Sequence, residues 1–152
     1  MSAAPFDVSS IVARLRSCVP KLIDVGMAAD YAAVQSLQDF RPPCAYVILA
    51  SEQGALQPQG HAPRGQQVRG RQIVQVTFGV VLAVRNYREQ KGAQVNDELR
   101  EMLAATREAL MGFVPDAEGA RAIQFVRGDL MDYNAGTAIW ADVYQTQHSI
   151  GN

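Results

Sequence analysis

Fifteen consecutive residues, Arg71 to Arg85, alternate in a way that only an extended strand exploits. Val74, Val76, Phe78, Val80, Leu82 and Val84 fall on one parity, so one face of such a strand is apolar throughout. The other parity, Ile73, Gln75, Thr77, Gly79, Val81, Ala83 and Arg85, is only partly apolar. A strand of this length needs neighbours on both sides and a cover on its apolar face, which restricts the chain to a multi-stranded sheet with packed helices. Gly79 is the natural place for a bulge or bend in it. With 152 residues the chain suits one domain spanning 1–152, and a chain of this size buries about two-thirds of its unfolded surface without staples.

Period and breakers place the remaining elements. Val8, Ile11, Val12, Leu15 and Val19 recur at three- and four-residue steps, marking an amphipathic helix with Asp7 as N-cap and Pro20 as its end. Leu22 to Val25 reads as a brief strand, and Ala28 to Gln38 as a helix stopped by Arg41-Pro42-Pro43. Cys44 to Ser51 is a short apolar run typical of a buried strand. From about Val95 to Val114 the period is helical, with Val95, Leu99, Met102, Leu103, Thr106, Leu110 and Phe113 inside. Asp97, Glu98, Glu101 and Glu108 lie outside that stripe, the early ones suiting the helix dipole. Ala122 to Tyr133 and Thr137 to His148 are strand candidates joined at Asn134-Ala135-Gly136, a hairpin signal, with Gly128 expected to interrupt the first. The expected fold is α+β, a mainly antiparallel sheet of three to four strands with helices packed on one face.

Between the two central strands the composition changes. Residues 52–70 contain four Gly, two Pro and five Gln with only Leu56 and Val68 as large aliphatic side chains, so the segment reads as a long flexible loop. Loops of this length inside a compact domain serve function more often than architecture. Arg64, Arg69 and Arg71 cluster at its end, and twelve of the fourteen Lys+Arg in the chain are arginine, which makes planar bidentate contacts.

Charge excludes some classes of function and suggests others. The formal net charge is −1, which gives no general support for polyanion binding. Residues 1–88 carry nine Lys+Arg against five Asp+Glu, whereas 89–152 carry five against ten. A basic front and an acidic back suit a head-to-tail contact between copies, which closes into a ring when the rotation permits. The longest apolar run, Cys44 to Ala50, is far short of the ~20 residues of a membrane span. The N-terminus shows no cationic-then-apolar leader, so synthesis and use in a cytoplasm are expected.

Catalytic and ligand-binding signals are weak throughout. His61 in the loop and His148 near the end read as solvent-facing. Cys18 and Cys44, 26 residues apart, read as reduced, partly buried thiols, and no His/Cys/carboxylate cluster has metal-ligand spacing. The glycines of 65–70 lack GxxxxGK[ST] and precede a strand rather than a helix. Asp129, Asp132 and Asp142 read as ordinary acids of strand edges and turns rather than paired catalytic carboxylates. No cofactor is expected.

Against this background the chain resembles the tail terminator proteins of long-tailed bacteriophages and their prophage relatives, the group that includes the lambda-type minor tail protein U. The resemblance lies in Arg41-Pro-Pro-Cys-Ala-Tyr-Val-Ile-Leu49, the Gly/Gln/Arg loop and Gln72 to Asn86, and continues through the Asn96–Met111 helix into Ile123 to Leu130 and Ile139 to Tyr144. It implies a non-enzymatic virion protein, assembled in the host cytoplasm into a homohexameric ring. That ring caps the head-proximal end of the tail tube, stops its polymerisation and offers a surface to the head-tail connector protein, with DNA passing through the lumen without specific binding. Candidate tail-tube or intersubunit contacts are Gln59, His61, Arg64, Gln66, Gln67, Arg69 and Arg71. The candidate acidic intersubunit face is Asp97, Glu101 and Glu108. Two alternatives are another head-tail connector or tail-completion protein, and a small-molecule-binding α+β domain with the 52–70 loop as lid.

Overall fold

The computed structural model describes residues 2–33, 40–58, 60–85, 92–134 and 136–151. The elements run α1 (Ser9–Cys18), β1 (Asp24–Met27), α2 (Ala28–Ala32), β2 (Cys44–Gly54), β3 (Arg71–Arg85), α3 (Gly92–Leu110), β4 (Gln124–Asn134) and β5 (Thr137–Gly151). They form an α+β fold around one five-stranded sheet of order β1-β2-β3-β5-β4. Only β1 runs parallel to its neighbour, β2. The sheet thus has five strands rather than three to four. The one beyond that count is β1, the brief strand expected at Leu22 to Val25, which lies two residues later and pairs Asp24 to Met27 with Cys44 to Val47.

β3 is central, as its alternation requires, and pairs with β5 without interruption from Arg71–Gly151 to Arg85–Thr137. Gly79 takes part regularly in both of its ladders, so the expected bulge is not there. It is in β2, where Leu49 faces Phe78 and Ser51 faces Thr77, leaving Ala50 as the extra residue. β2 also continues three residues past Ser51, because the long β3 offers backbone partners to Glu52, Gln53 and Gly54 whatever their side chains. The loop therefore begins at Ala55.

The apolar parity of β3 meets α1 and α3 in the main core, where Ile11, Leu15, Val76, Phe78, Val80, Leu82 and Leu110 are buried together. Helices are not confined to that face. On the other, Tyr31 of α2 joins Phe40 and Tyr46 over Cys44, Val81, Ala83 and Ile139. Asp7 sits one residue ahead of the helical N-cap, Val8, yet its Oδ1 still accepts the first-turn amide of Ser9 at 2.9 Å. Those hydrogen bonds hold its carboxyl below the usual range. α2 is described to Ala33, and the rest of the expected helix, with Val34 and Leu37, lies outside the described residues. α3 starts at Gly92, so Asp97 and Glu98 fall beyond its first turn. It stops at Leu110, after which the Gly112 N–H turns to Ile123 O at 2.9 Å. Leu99, Met102, Leu103, Thr106 and Leu110 are buried as the period predicts, and Phe113 packs on the core beyond the helix. The side chain of Val95 lies outside the described residues.

Asp142, expected among the ordinary acids of strand edges and turns, sits instead on β5, an interior strand. Asp142 is 1% exposed, and both its oxygens are engaged by Arg107 of α3, Nε to Oδ2 at 2.7 Å and Nη2 to Oδ1 at 2.8 Å. Trp140 Nε1 donates to Oδ1 at 2.8 Å and the Tyr144 hydroxyl to Oδ2 at 3.2 Å. The ion-paired hydrogen bonds keep Arg107 above its ordinary pKa, while burial pushes the Tyr144 phenol well up. Arg107 also lies over the Phe125 ring, 4.5 Å from its centroid. β4 continues through Gly128, which pairs with Asp142 instead of breaking the strand, and glycine is required there because a Cβ would stand 2.4 Å from Asp142 Oδ1 and 2.8 Å from Trp140 Nε1.

Removing one partner of a buried, fully hydrogen-bonded pair leaves a desolvated charge, so Asp142→Ala is expected to cost about 3 kcal/mol. In a chain of this size that lowers the melting temperature by about 10 °C. Gly128→Val should destabilise comparably by displacing the same carboxylate. Thermal unfolding of both variants within ~1 °C of the parent would remove the pair from its organising role.

Candidate functional site

The loop between β2 and β3 leaves the sheet at one end. Its base is closed by Ala55 N–H to Ile73 O at 2.8 Å and by Gln72 Nε2 to Ala55 O at 3.2 Å. Beyond that, the backbone bonding of 56–70 among the described residues is one turn, Gln66 N–H to Pro63 O at 3.1 Å. Residues 55–70 contain Arg64, Arg69 and His61 and no acidic residue. His61, Arg64, Gln66, Gln67 and Arg69 are all exposed, and neither Arg64 nor Arg69 has an ion-pair partner among the described residues. Gln59 lies outside the described residues. Arg71 differs from Arg64 and Arg69, since it pairs within the chain with Glu118. Leu56 is 99% exposed, and Val68 and Ile73 are also open to solvent.

The acidic candidates are elsewhere. Asp97, Glu101 and Glu108 are exposed on α3, and Glu101 pairs with Lys21. Glu98 and Glu101 border Val84 and Arg85 at the far end of β3 from the loop. Fourteen residue-to-residue steps along the strand, about 45 Å, separate Arg85 from Arg71. The basic segment and the start of the acidic helix therefore stand at opposite ends of one subunit.

Several sequence expectations change on the sheet. His148 is not solvent-facing. It is 6% exposed, with Nε2 2.9 Å from Glu52 Oε1 and its ring edge-on to Phe6. The same Glu52 oxygen accepts the Phe6 N–H at 2.8 Å, so β2, β5 and the N-terminal segment meet there. Ala50 is what makes this possible, since the bulge places Glu52 opposite Val76, on the face of the main core. His61 is exposed, as expected. Asp129 and Asp132 face Ala141 and Ile139, the opposite sheet face from Asp142, so the three acids do not converge. Cys18 and Cys44 are free; Cys44 is buried, which pushes its thiol up to about 11, and Cys18 is exposed rather than partly buried.

A groove of about 620 Å³ lies beside the loop base, lined by Gln53, Gln75, Gln124, Gln145 and Gln147 with Arg121 at its rim. The register explains it: Gln53, Gln75 and Gln147 form one row across three strands, and Ser51, Thr77, Gln145 and Gln124 the next. Amides and hydroxyls supply hydrogen bonds but no general base or nucleophile of lowered pKa. Among the described residues no group of three His, Cys, Asp or Glu is placed to hold a metal ion, and no helix is long and apolar enough to cross a membrane. Sequence reasoning missed Arg107 and the exposed apolar residues of β4, Val126, Leu130, Met131 and Tyr133, and gave Gly128 a different role. Asp142 did leave a signal, being an acid on the parity of Trp140 and Tyr144.

No curated protein sequence matches the chain significantly. The fold is similar to that of a chain from the virion of a native gene transfer agent (GTA) particle, with a TM-score of 0.54 and 15% identity over 95% of this chain and 93% of that one. The family model for phage tail terminator proteins matches residues 1–152. A fully covered family match joins a fold organised for contact surfaces rather than for chemistry: the chain belongs to the phage tail terminator family, virion structural proteins and not enzymes.

Proposed function

We propose that this tail component assembles into a homohexameric ring on the head-proximal end of the tail tube. There the ring ends polymerisation of the tube protein and presents a surface to the head-tail connector protein. The observation that carries this reading is the separation of the acid-free basic loop from the start of the acidic α3 face by the length of β3. Opposite charges that cannot meet within one subunit favour head-to-tail contact with the next, and a heterologous contact closes into a ring when its rotation permits. Arg64 and Arg69 supply guanidinium groups with no ion-pair partner among the described residues, the group favoured at protein contacts. A net charge of −1 suits a lumen through which DNA passes without being gripped. Assembly takes place in the host cytoplasm.

Sedimentation of the purified chain, alone and with assembled tail tubes, tests the ring. The expected species is near six times the 16.5 kDa chain mass, and a monomer at all salt concentrations with no tube binding overturns the reading. Position on the tail is tested by deleting Gly60 to Gly70, which removes exposed residues only. The variant should fold with unchanged thermal stability and yield overlong or headless tails. Tails of normal length joined to heads would exclude the loop from capping, and normal-length tails that fail only to join would favour a connector role.

Charge reversal probes the electrostatics of the same contact. Arg64→Glu with Arg69→Glu should weaken assembly at low ionic strength and converge on the parent as salt rises, because exposed pairs are screened beyond about 10 Å at 0.1 M. Equal assembly at low salt would sink the electrostatic role of these two residues.

A further inference from the structure

β4 closes one side of the sheet and carries features that an isolated edge strand normally avoids. It is eleven residues long, and among the described residues nothing pairs with its outer N–H and C=O groups. Val126 and Met131 are its two bulge residues, and with Leu130 and Tyr133 they leave a row of apolar side chains in solvent, Met131 at 59% exposure. Bulges and charges are devices that blunt a free edge and β4 has both, yet its length and exposed apolar side chains leave a surface that another chain can cover. Its charged residues are Arg127, Asp129 and Asp132; the first two lie 3.7 Å apart, leaving Asp132 without an ion-pair partner among the described residues.

The segment 55–70 is the complement of that edge. Among the described residues its backbone beyond Ala55 makes one bond, the turn at Gln66, it exposes Leu56 and Val68, and its only formal charges are Arg64 and Arg69, which have no ion-pair partner among the described residues. Resting on the ring reading above, we infer that the 55–70 arm of one subunit lies along β4 of the next as an added strand. Arg69 faces the Asp132 end, and Val68 and Leu56 cover the exposed apolar row.

Within one chain the arm reaches only the near end of β4, where Gln124 lies with Leu56 beside the loop base. Leu130 is opposite Trp140, which is opposite Leu82, eleven residues along β3 from Arg71 and about 36 Å from the loop base. A sixteen-residue loop anchored at both ends reaches no further than about eight extended residues, or ~27 Å. The arm therefore reaches the 130–133 stretch of β4 only on a second copy. Strand addition supplies main-chain hydrogen bonds for affinity, and the flanking side chains set the choice of partner.

Engineered cysteines test the pairing in the full chain. In a Cys18→Ser background, with the buried Cys44 kept, Val68→Cys and Met131→Cys are combined and oxidised after assembly, alone or on tail tubes. The expected result is a ladder of covalently linked multimers within particles of ring mass. The control combines Val68→Cys with Ile23→Cys, beside the opposite sheet edge. As an independent measure, Asp132→Arg should weaken assembly about tenfold and Arg69→Asp in the same chain should restore it, a rescue that a purely structural role of either residue does not produce. Ring-mass particles without the β4 link, or with the link at Ile23, overturn the pairing and leave the ring reading standing. A parent chain that stays at 16.5 kDa alone and on tubes removes both.

Discussion

The bidentate pair between Arg107 and Asp142 ties together the layers of this fold. An isolated carboxylate at 1% exposure on an interior strand is costly, and here every donor near it is recruited: Arg107 from the helix, Trp140 and Tyr144 from the same strand. The consequences spread outward. α3 is held at one rotation over β5, Phe125 of β4 packs under the guanidinium, and position 128 has room only for glycine. Apolar contacts supply the bulk of the driving force, but they are non-directional and tolerate sliding of a helix over a sheet. A planar five-donor fork on a carboxylate does not.

The second constraint is the length of β3. A fifteen-residue central strand makes the subunit long, and its neighbours distribute function along it. One end carries the basic arm, the other the cleft of Lys21, Glu98 and Glu101. One half of the outer face is apolar and covered by Tyr31 and Phe40, while the other is a field of glutamines. Such an object has direction, which a subunit needs when it meets copies of itself front to back.

The charge arithmetic of the two halves of the chain survives in space only in part. Lys21 meets Glu101 and Arg71 meets Glu118, so two pairs across the halves are satisfied internally. What remains for contact is narrower: Arg64 and Arg69 on the arm, and acids such as Asp97, Glu108 and Asp132 that have no ion-pair partner among the described residues.

Local pattern by itself determined the helix and strand types, the apolar faces of α1, α3 and β3, the long polar loop and the scarcity of catalytic groups. Each of these depends on side-chain period or composition within a few turns of chain. Pairing decided the rest. β1 exists as a strand because β2 lies beside it; β2 outlasts its apolar run because β3 holds its backbone; the bulge falls at Ala50 rather than Gly79 because that shift turns Glu52 toward His148. His148 and Asp142 look like surface residues in one dimension, near a terminus or among polar neighbours. They are buried because β5 lies between β3 and β4, and strand order is a property of contacts far apart in sequence.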